Sequence, residues 1–396
     1  MSGRTKPYQW WTLLRTFASG ARANLRLYLV LMAGVGVSVF VLCWLLALRD
    51  GFARTLAQTG HGDQLVVLRH GASSESTSYI APLEAAALQN DPLVQRGAGG
   101  AMASAEFYSV NNLDAAAGAP PISVGVRGVG PMGAPLRPAF RLVAGAMFAP
   151  GTREIVVGKA IAPRLAHGGV GDQLAIQGVA WKIAGVFASG DVHESEIWAD
   201  AAVVQNTLRL GGYQSILLRI DGDGARAAYR ARIARDASLH ATALPEPEYY
   251  ARNGSQFPRI IGHITSLIGL VMLAGACMNT YNFMAFLADL RRFQIGVLRA
   301  IGYSPGAITC AVLIEGLTLT GAGALLGWLC AWLVFDGRSA NTINQDALTQ
   351  VVFAYTVNLR HASIAVGMAL LAALIGGSVS AARVAGATVR QLLLSR

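Results

Sequence analysis

The chain is poor in charge and in cysteine, and it lacks the short motifs that mark common soluble enzymes. Only 14% of its 396 residues are charged while 53% are apolar, a balance unusual for a water-soluble protein. No GxxxxGK[ST] segment occurs, so the backbone cradle and lysine that hold nucleotide phosphates in that type of hydrolase are missing. No HExxH occurs either, and a metal site needs several His, Cys or acidic ligands at workable spacing. His193, Glu194 and Glu196 in DVHESEIW come closest, and a polar loop at a strand edge explains them better. No GxSxG elbow is present, and Cys43, Cys277, Cys310 and Cys330 all lie in long apolar runs. A serine or cysteine hydrolase is therefore unsupported, and the rest of the chain has no cysteine for a disulfide. There is no clear internal repeat and no low-complexity tract.

What the sequence does contain is four apolar runs of membrane-spanning length. A bilayer core of about 30 Å takes about 20 helical residues. Residues 27–48 carry no charge, 260–288 carry only His263, 307–335 carry one carboxylate, Glu315, and 362–382 are apolar and small. The first run is too long for a signal peptide and is followed by Arg49-Asp50 without a small-x-small cleavage site, so it is expected to remain as an anchor.

Charge sets the expected orientation. Residues 1–26 hold Arg4, Lys6, Arg15, Arg22 and Arg26 without an acid; 289–306 hold Arg291, Arg292 and Arg299 against Asp289; 383–396 hold Arg383, Arg390 and Arg396. Those eleven bases and one acid account for the whole formal net charge of +10. Segments rich in Arg and Lys stay in the cytoplasm, so both ends and the 289–306 segment are expected there. Residues 49–259 and the short 336–361 loop, both nearly balanced, are then periplasmic. The basic pI is a topology signal and gives no support to nucleic-acid binding.

The expected fold class is a membrane α-helical protein of four transmembrane helices, with a large α+β extracytoplasmic domain between helices 1 and 2. Within that domain QLVVL (64–68), ISVGV (122–126), EIVV (154–157) and SILLRI (215–220) have strand character, separated by Gly, Pro and Asp turns. Helices are expected over 81–89, 159–166 and 224–234, and two strands around Gly178 form a hairpin. GASSESTS (71–78) has the composition of a mobile loop.

Three features of the helical part carry candidate function. Glu315 is an intramembrane carboxylate, a costly and often functional placement, about 11 Å from the start of its span at 1.5 Å per residue. It either serves the activity or pairs with a loop arginine or helix amide to lock the cytoplasmic ends of helices two and three. Gly323 with Gly327, Gly377 with Ala381, and Gly34 with Ser38 recur at i and i+4, the spacing that lets membrane helices approach closely. Between the second and third spans, RRFQIGVLRAIGYSP projects as an amphipathic helix. Arg291, Arg292 and Arg299 share one sector, Phe293, Val297, Leu298, Ala300 and Ile301 fall opposite, and Gln294 and Ile295 break the separation. Such a helix is expected on the cytoplasmic membrane surface with its arginines among lipid headgroups. Gly296 and Gly302 suggest a close contact or a bend, and Pro305 restarts the chain for the third span.

RRFQIGVLRAIGYSPGAI followed by EGLTLTGAGALLGWLCAWL resembles the FtsX/MacB-type (type VII) permeases of ABC systems. Arg292, Ile295, Gly296, Leu298, Arg299, Ala300, Gly302, Glu315 and Gly316 match the family pattern, while Gln294 stands where the family usually has Glu. GTREIVVGKAIAPRLAHGGVGDQLAIQG with WKIAGVF looks like the family's periplasmic core. The resemblance extends over nearly the whole chain, although the proline-containing tail common in the family is missing. It implies that residues 291–302 form an element that couples to an ATP-binding subunit on another polypeptide, which carries ATP and Mg. This chain itself would bind no cofactor and no metal and would catalyse nothing. It further implies a dimer with a second copy or a paralogue, a periplasmic adaptor and export or extraction of a substrate. The alternative is an FtsX-like regulator that activates a periplasmic cell-wall hydrolase without transport.

Overall fold

The computed structural model describes residues 25–209, 211–236, 238–254, 256–344 and 349–386. Arg4, Lys6, Arg15, Arg22, Arg390 and Arg396, on which part of the charge argument rests, lie outside the described residues. The elements run α1 (Leu25–Ala57), β1 (Gln64–Arg69), α2 (Pro82–Gln89), β2 (Arg96–Gly97), β3 (Gly100–Ala101), β4 (Ala103–Leu113), β5 (Ile122–Val129), β6 (Arg141–Gly145) and β7 (Glu154–Gly158). They continue with β8 (Gln173–Ile176), β9 (Val179–Ala188), β10 (Glu196–Asp200), α3 (Ala201–Leu208), β11 (Ser215–Arg219), α4 (Asp223–Arg235), β12 (Ala241–Pro245) and α5 (Glu246–Gly254). The chain finishes with α6 (Gln256–Leu290), α7 (Arg292–Ala300), α8 (Pro305–Phe335), β13 (Ser339–Asn344), β14 (Thr349–Ala354) and α9 (Leu359–Gly386).

Two compact units result. One comprises residues up to Arg49, Ile261–Arg338 and Tyr355 onward; the other comprises Asp50–Ile260 and Ser339–Ala354. Among the described residues, four helices, α1, α6, α8 and α9, are long and apolar enough to cross a membrane. In α1, Tyr28, Leu31, Val35, Val39, Leu42 and Leu46 are buried at spacings of three or four, the stripe that a helix turns toward its neighbours. With 33 residues α1 is about 50 Å long at 1.5 Å per residue, more than a hydrocarbon core of about 30 Å requires. Its last turns, from Asp50, belong to the sheet unit.

The sheet unit is built on ten strands in the order β12-β1-β11-β4-β5-β10-β7-β9-β6, with β8 on β9. β5 and β10 are parallel, as are β7 and β9, and the other pairs are antiparallel. β4 changes partner along its length. Ala103–Glu106 pair with β11, and Phe107–Leu113 pair with β5. Each half of the sheet therefore has its own apolar core, one around Leu65, Ile216, Leu218 and Tyr229, the other around Val124, Ile155, Trp181 and Ile183.

Several local expectations need correction. The 159–166 helix is only a 3-10 turn over Ala162–Arg164. GASSESTS is no mobile loop: it folds into a 3-10 turn at Glu75–Thr77 with Ser74, Glu75 and Ser78 buried. The 336–361 segment, an expectation not itself overturned, contains the β13–β14 hairpin, whose strands belong to the sheet unit.

Candidate functional site

The segment between α6 and α8 contains a nine-residue helix, α7, held by charge at the residue that precedes it. Arg291 stands at its N-cap position and is 5% exposed. One guanidinium nitrogen, Nη1, donates to Glu315 Oε2 at 2.9 Å, and the other, Nη2, donates to Glu315 Oε1 at 3.2 Å and to Tyr28 Oη at 2.8 Å. The Tyr28 hydroxyl in turn donates to Glu315 Oε1. Three elements, α1, the start of α7 and α8, are thus joined by one buried ion pair and one phenol. Removing one partner of such a pair strands a charge and costs about 3–5 kcal/mol. Glu315 thus pairs with an arginine of the segment between α6 and α8. Tyr28 was invisible to sequence reading because it lies 263 residues from Arg291.

The helical projection is corrected at the same point. Arg291 does not share an exposed sector with Arg292; it faces inward, and Arg292 pairs with Asp289 at 2.8 Å. The buried face of α7 is Ile295 and Gly296, with Leu298 packed beside Tyr303. Phe293 (66% exposed), Val297 and Ile301 (71% exposed) form an outward apolar stripe at i, i+4 and i+8, flanked by exposed Arg292, Gln294 and Ala300. Gly302 ends the helix with φ +105°, the left-handed region that favours glycine. Ser304 then caps α8 by accepting from Ala307 N, with Pro305 in its first turn.

The small residues do bring backbones together. A Cβ on Gly327 would lie 2.2 Å from Gly36 O, and one on Gly323 would lie 2.7 Å from Met32 O, so α8 packs on α1 through these positions. In α9 the backbone contact falls on Gly376, where a Cβ would meet Cys277 O of α6 at 2.3 Å, whereas Gly377 faces the Leu313 side chain. The side chain of Ala381 lies outside the described residues.

The sheet unit holds a second, unforeseen constellation. All five N–H groups of Arg127 are used. Nε and Nη2 donate to Glu196 at 2.8 and 2.9 Å, Nη1 and Nη2 to Glu75 at 2.7 and 2.9 Å, and Nη1 also to Glu106 at 2.9 Å. Arg137 forks onto the same Glu106 at 2.7 and 2.8 Å. Ser215, on β11, donates to Glu75, and Trp198 Nε1 donates to Glu196 at 2.9 Å. The cluster sits where β4 changes partner, so ionic bonds fill the seam between the two apolar cores.

Burial by itself would raise the Glu106 carboxyl, but Arg137 and Arg127 overcome it and hold the group at about 2. Asp191, buried but ion-paired with His193, is likewise held at about 2. Burial disfavours a charged His193, yet Asp191 and Glu196 outweigh it and move the imidazole upward. Glu246 is moved upward by burial, which Arg137 and His193 only partly offset. His193 and Glu194 therefore lie in a packed turn and Glu196 opens β10, with His193 and Glu196 buried. Among the described residues no group of three His, Cys, Asp or Glu side chains is arranged to hold a metal ion. No single motif could have revealed the cluster, because its members are scattered from Glu75 to Ser215.

The family model of the MacB-like periplasmic core domain matches residues 28–236, and that of the FtsX-like permease C-terminal region matches residues 266–389. The chain belongs to the FtsX/MacB-type permease family. It is thus a MacB- and FtsX-like permease subunit of an ABC-type transporter, a multi-pass protein of the bacterial inner membrane. Among solved structures, it is similar to the periplasmic region of MacB from Actinobacillus actinomycetemcomitans, at 13% identity over 50% of this chain and 94% of that one, with a TM-score of 0.37. The extracellular domain of the noncanonic ABC-type transporter YknZ from Gram-positive bacteria matches at 12% identity over 46% of this chain and 99% of that one, TM-score 0.36. A domain of a permease protein from Porphyromonas gingivalis matches at 15% identity over 47% and 90%, TM-score 0.32. Comparison with curated proteins gives no match.

Proposed function

We propose that this permease couples ATP hydrolysis on a separate ATP-binding subunit, which carries the ATP and Mg, to movement of its sheet unit on the far side of the membrane. The movement serves export or extraction of a substrate handed to or from a periplasmic adaptor. The working assembly pairs two permeases, two copies of this chain or this chain and a paralogue, and the chain itself catalyses nothing. Both termini and α7 face the cytoplasm, as the excess of arginine in those segments favours, and the sheet unit lies between the first and second spans on the opposite side.

The observation that carries this reading is the outward stripe of Phe293, Val297 and Ile301 on a short helix anchored by Arg291 and Glu315. Burying such side chains releases about 1.5–3 kcal/mol each, enough for a specific docking contact. The inward turn of Arg291 removes one of the arginines that a headgroup-bound surface helix would present. A load applied to the stripe passes through the ion pair into α1 and α8 together.

The test replaces Phe293 and Val297 with Asp and leaves Leu298, which packs inward, untouched. Recovery of the ATP-binding subunit with the purified permease is expected to fall at least about tenfold, the equivalent of 1.4 kcal/mol. Undiminished recovery together with undiminished stimulation of ATP hydrolysis would overturn the coupling assignment and place the stripe in lipid.

A further inference from the structure

The DVHESEIW segment lies where several parts of the sheet unit meet. Its 3-10 turn, Val192–Ser195, is fixed from all sides. Asp191 caps it by accepting from His193 N. Glu194 Oε1 accepts from Ser189 N and Gly190 N at 2.9 and 2.8 Å. A Cβ on Gly158 of β7 would lie 2.1 Å from Glu194 O, so the neighbouring strand is pressed against the turn. The next residue, Glu196, is a ligand of Arg127 in the ionic seam.

Three separate stretches of chain that lead to membrane helices end on these four residues. Thr59, two residues past the end of α1, accepts from Val192 N at 3.3 Å through Oγ1. Tyr250 of α5, the helix just before α6, places its hydroxyl 3.1 Å from His193 Nε2. Val352 N of β14, in the hairpin between α8 and α9, donates to Ser195 Oγ at 2.9 Å. The hairpin is seated further by Phe353, whose ring meets Phe52 edge-on at 5.5 Å, and by Gly51, where a Cβ would lie 2.5 Å from Ala354 O. Its neck is laddered rather than loose. Tyr355 N donates to Arg338 O at 2.9 Å, Gly337 N to Tyr355 O at 3.2 Å, and Val357 N to Asp336 Oδ1 at 3.0 Å.

We infer that the turn Val192–Ser195 is the junction at which motion of the membrane helices is gathered and passed to the ten-stranded sheet, with Ser195 and Tyr250 as positioning residues. The physical ground is stiffness. A turn held by backbone bonds, a carboxylate cap and an adjacent buried ion cluster moves as one body with β10, the strand it leads into, whereas a flexible loop would absorb the displacement. The hairpin makes α8 and α9 inputs to the sheet alongside α1 and α6. The inference rests on the coupling reading above.

The test uses the permease with its ATP-binding subunit in lipid nanodiscs and compares hydrogen exchange without nucleotide and with ATP trapped by a hydrolysis-deficient ATP-binding subunit. In the unsubstituted complex, nucleotide is expected to change protection in α7, in 192–200 and in 349–354 together. In the Ser195→Ala, Tyr250→Phe double variant the change in α7 is expected to persist while that in 192–200 is lost. Gly51→Ala, which wedges the hairpin from α1 without touching the ionic cluster, is expected to give the same separation if the double variant does not fold. Ser195→Thr, which keeps the hydroxyl, is expected to retain the signal. A nucleotide response in 192–200 that survives both perturbations, or a response in α7 with none in 192–200 of the unsubstituted complex, overturns the junction. Absence of any response in α7 instead overturns the coupling reading on which it rests.

Discussion

Arg127→Lys keeps the charge at the centre of the ionic seam and changes only its geometry, which makes it the sharpest test of what holds the two halves of the sheet together. Arg127 uses five N–H groups on three carboxylates, Glu75, Glu106 and Glu196. An ammonium has three donors on a flexible stem and no planar fork. At least two charge-assisted bonds are lost, each worth about 1.5–3 kcal/mol, and the carboxylates they served stay buried. The cost is therefore about 3 kcal/mol or more. For a unit of somewhat over 200 residues, each kcal/mol moves the melting temperature by about 2–4 °C, so the variant should melt at least about 6 °C lower. The assay is a thermal melt of the full chain in detergent followed by tryptophan fluorescence, because Trp198 is fully buried against Glu196 and Arg137. The claim concerns a broken fit rather than the net worth of buried charge, since a wholly apolar replacement can be neutral. A melt within about 2 °C of the unsubstituted protein would refute the reasoning.

Two further outcomes are expected. Glu106 and Asp191 sit at about 2 in the folded state, below the ordinary carboxylate range, so the unfolded chain takes up more protons as pH falls. Stability present above about pH 4.5 is then lost toward pH 2, with Glu106 contributing about 3 kcal/mol of it. His193 and Glu246 are shifted upward, so their stabilisation is present at lower pH and lost as pH rises through their folded values, and melts across pH 3–8 should peak on the mildly acidic side. Gly327→Leu drives a side chain into Gly36 O and should separate α8 from α1, read as a lower melting temperature or increased protease cleavage in detergent; an unchanged protein would remove that contact from the account.

The sequence alone determined that four apolar helices of spanning length would form, because a run of some 20 uncharged residues has few alternatives to a spanning helix; it did not show that the first continues to Ala57. It also determined the short strands around Leu65, Ile122, Ile155 and Ile216, where β-branched residues stand between turn formers, and the hairpin about Gly178, which adopts φ +79°. The small-residue contact of Gly323 and Gly327 was likewise legible from spacing. Errors arose where polar residues were judged by composition. Glu75 in a serine-rich stretch read as part of a mobile loop and His193 in an acidic one as part of a polar loop, yet both are buried, because Arg127 and Ser215, which hold Glu75, lie on β5 and β11, and Tyr250, which meets His193, lies on α5. Arg291 projected onto the same helix sector as Arg292, but a projection shows only one helix, and the carboxylate and phenol that draw Arg291 inward belong to two others. Tertiary structure alone decided the ionic seam at the partner change of β4, the Tyr28–Arg291–Glu315 anchor and the docking of the β13–β14 hairpin on Ser195. Each depends on charge or hydrogen-bond complementarity between distant segments, which carries no periodicity along the chain, whereas burial in lipid or in a sheet leaves its period in the sequence itself.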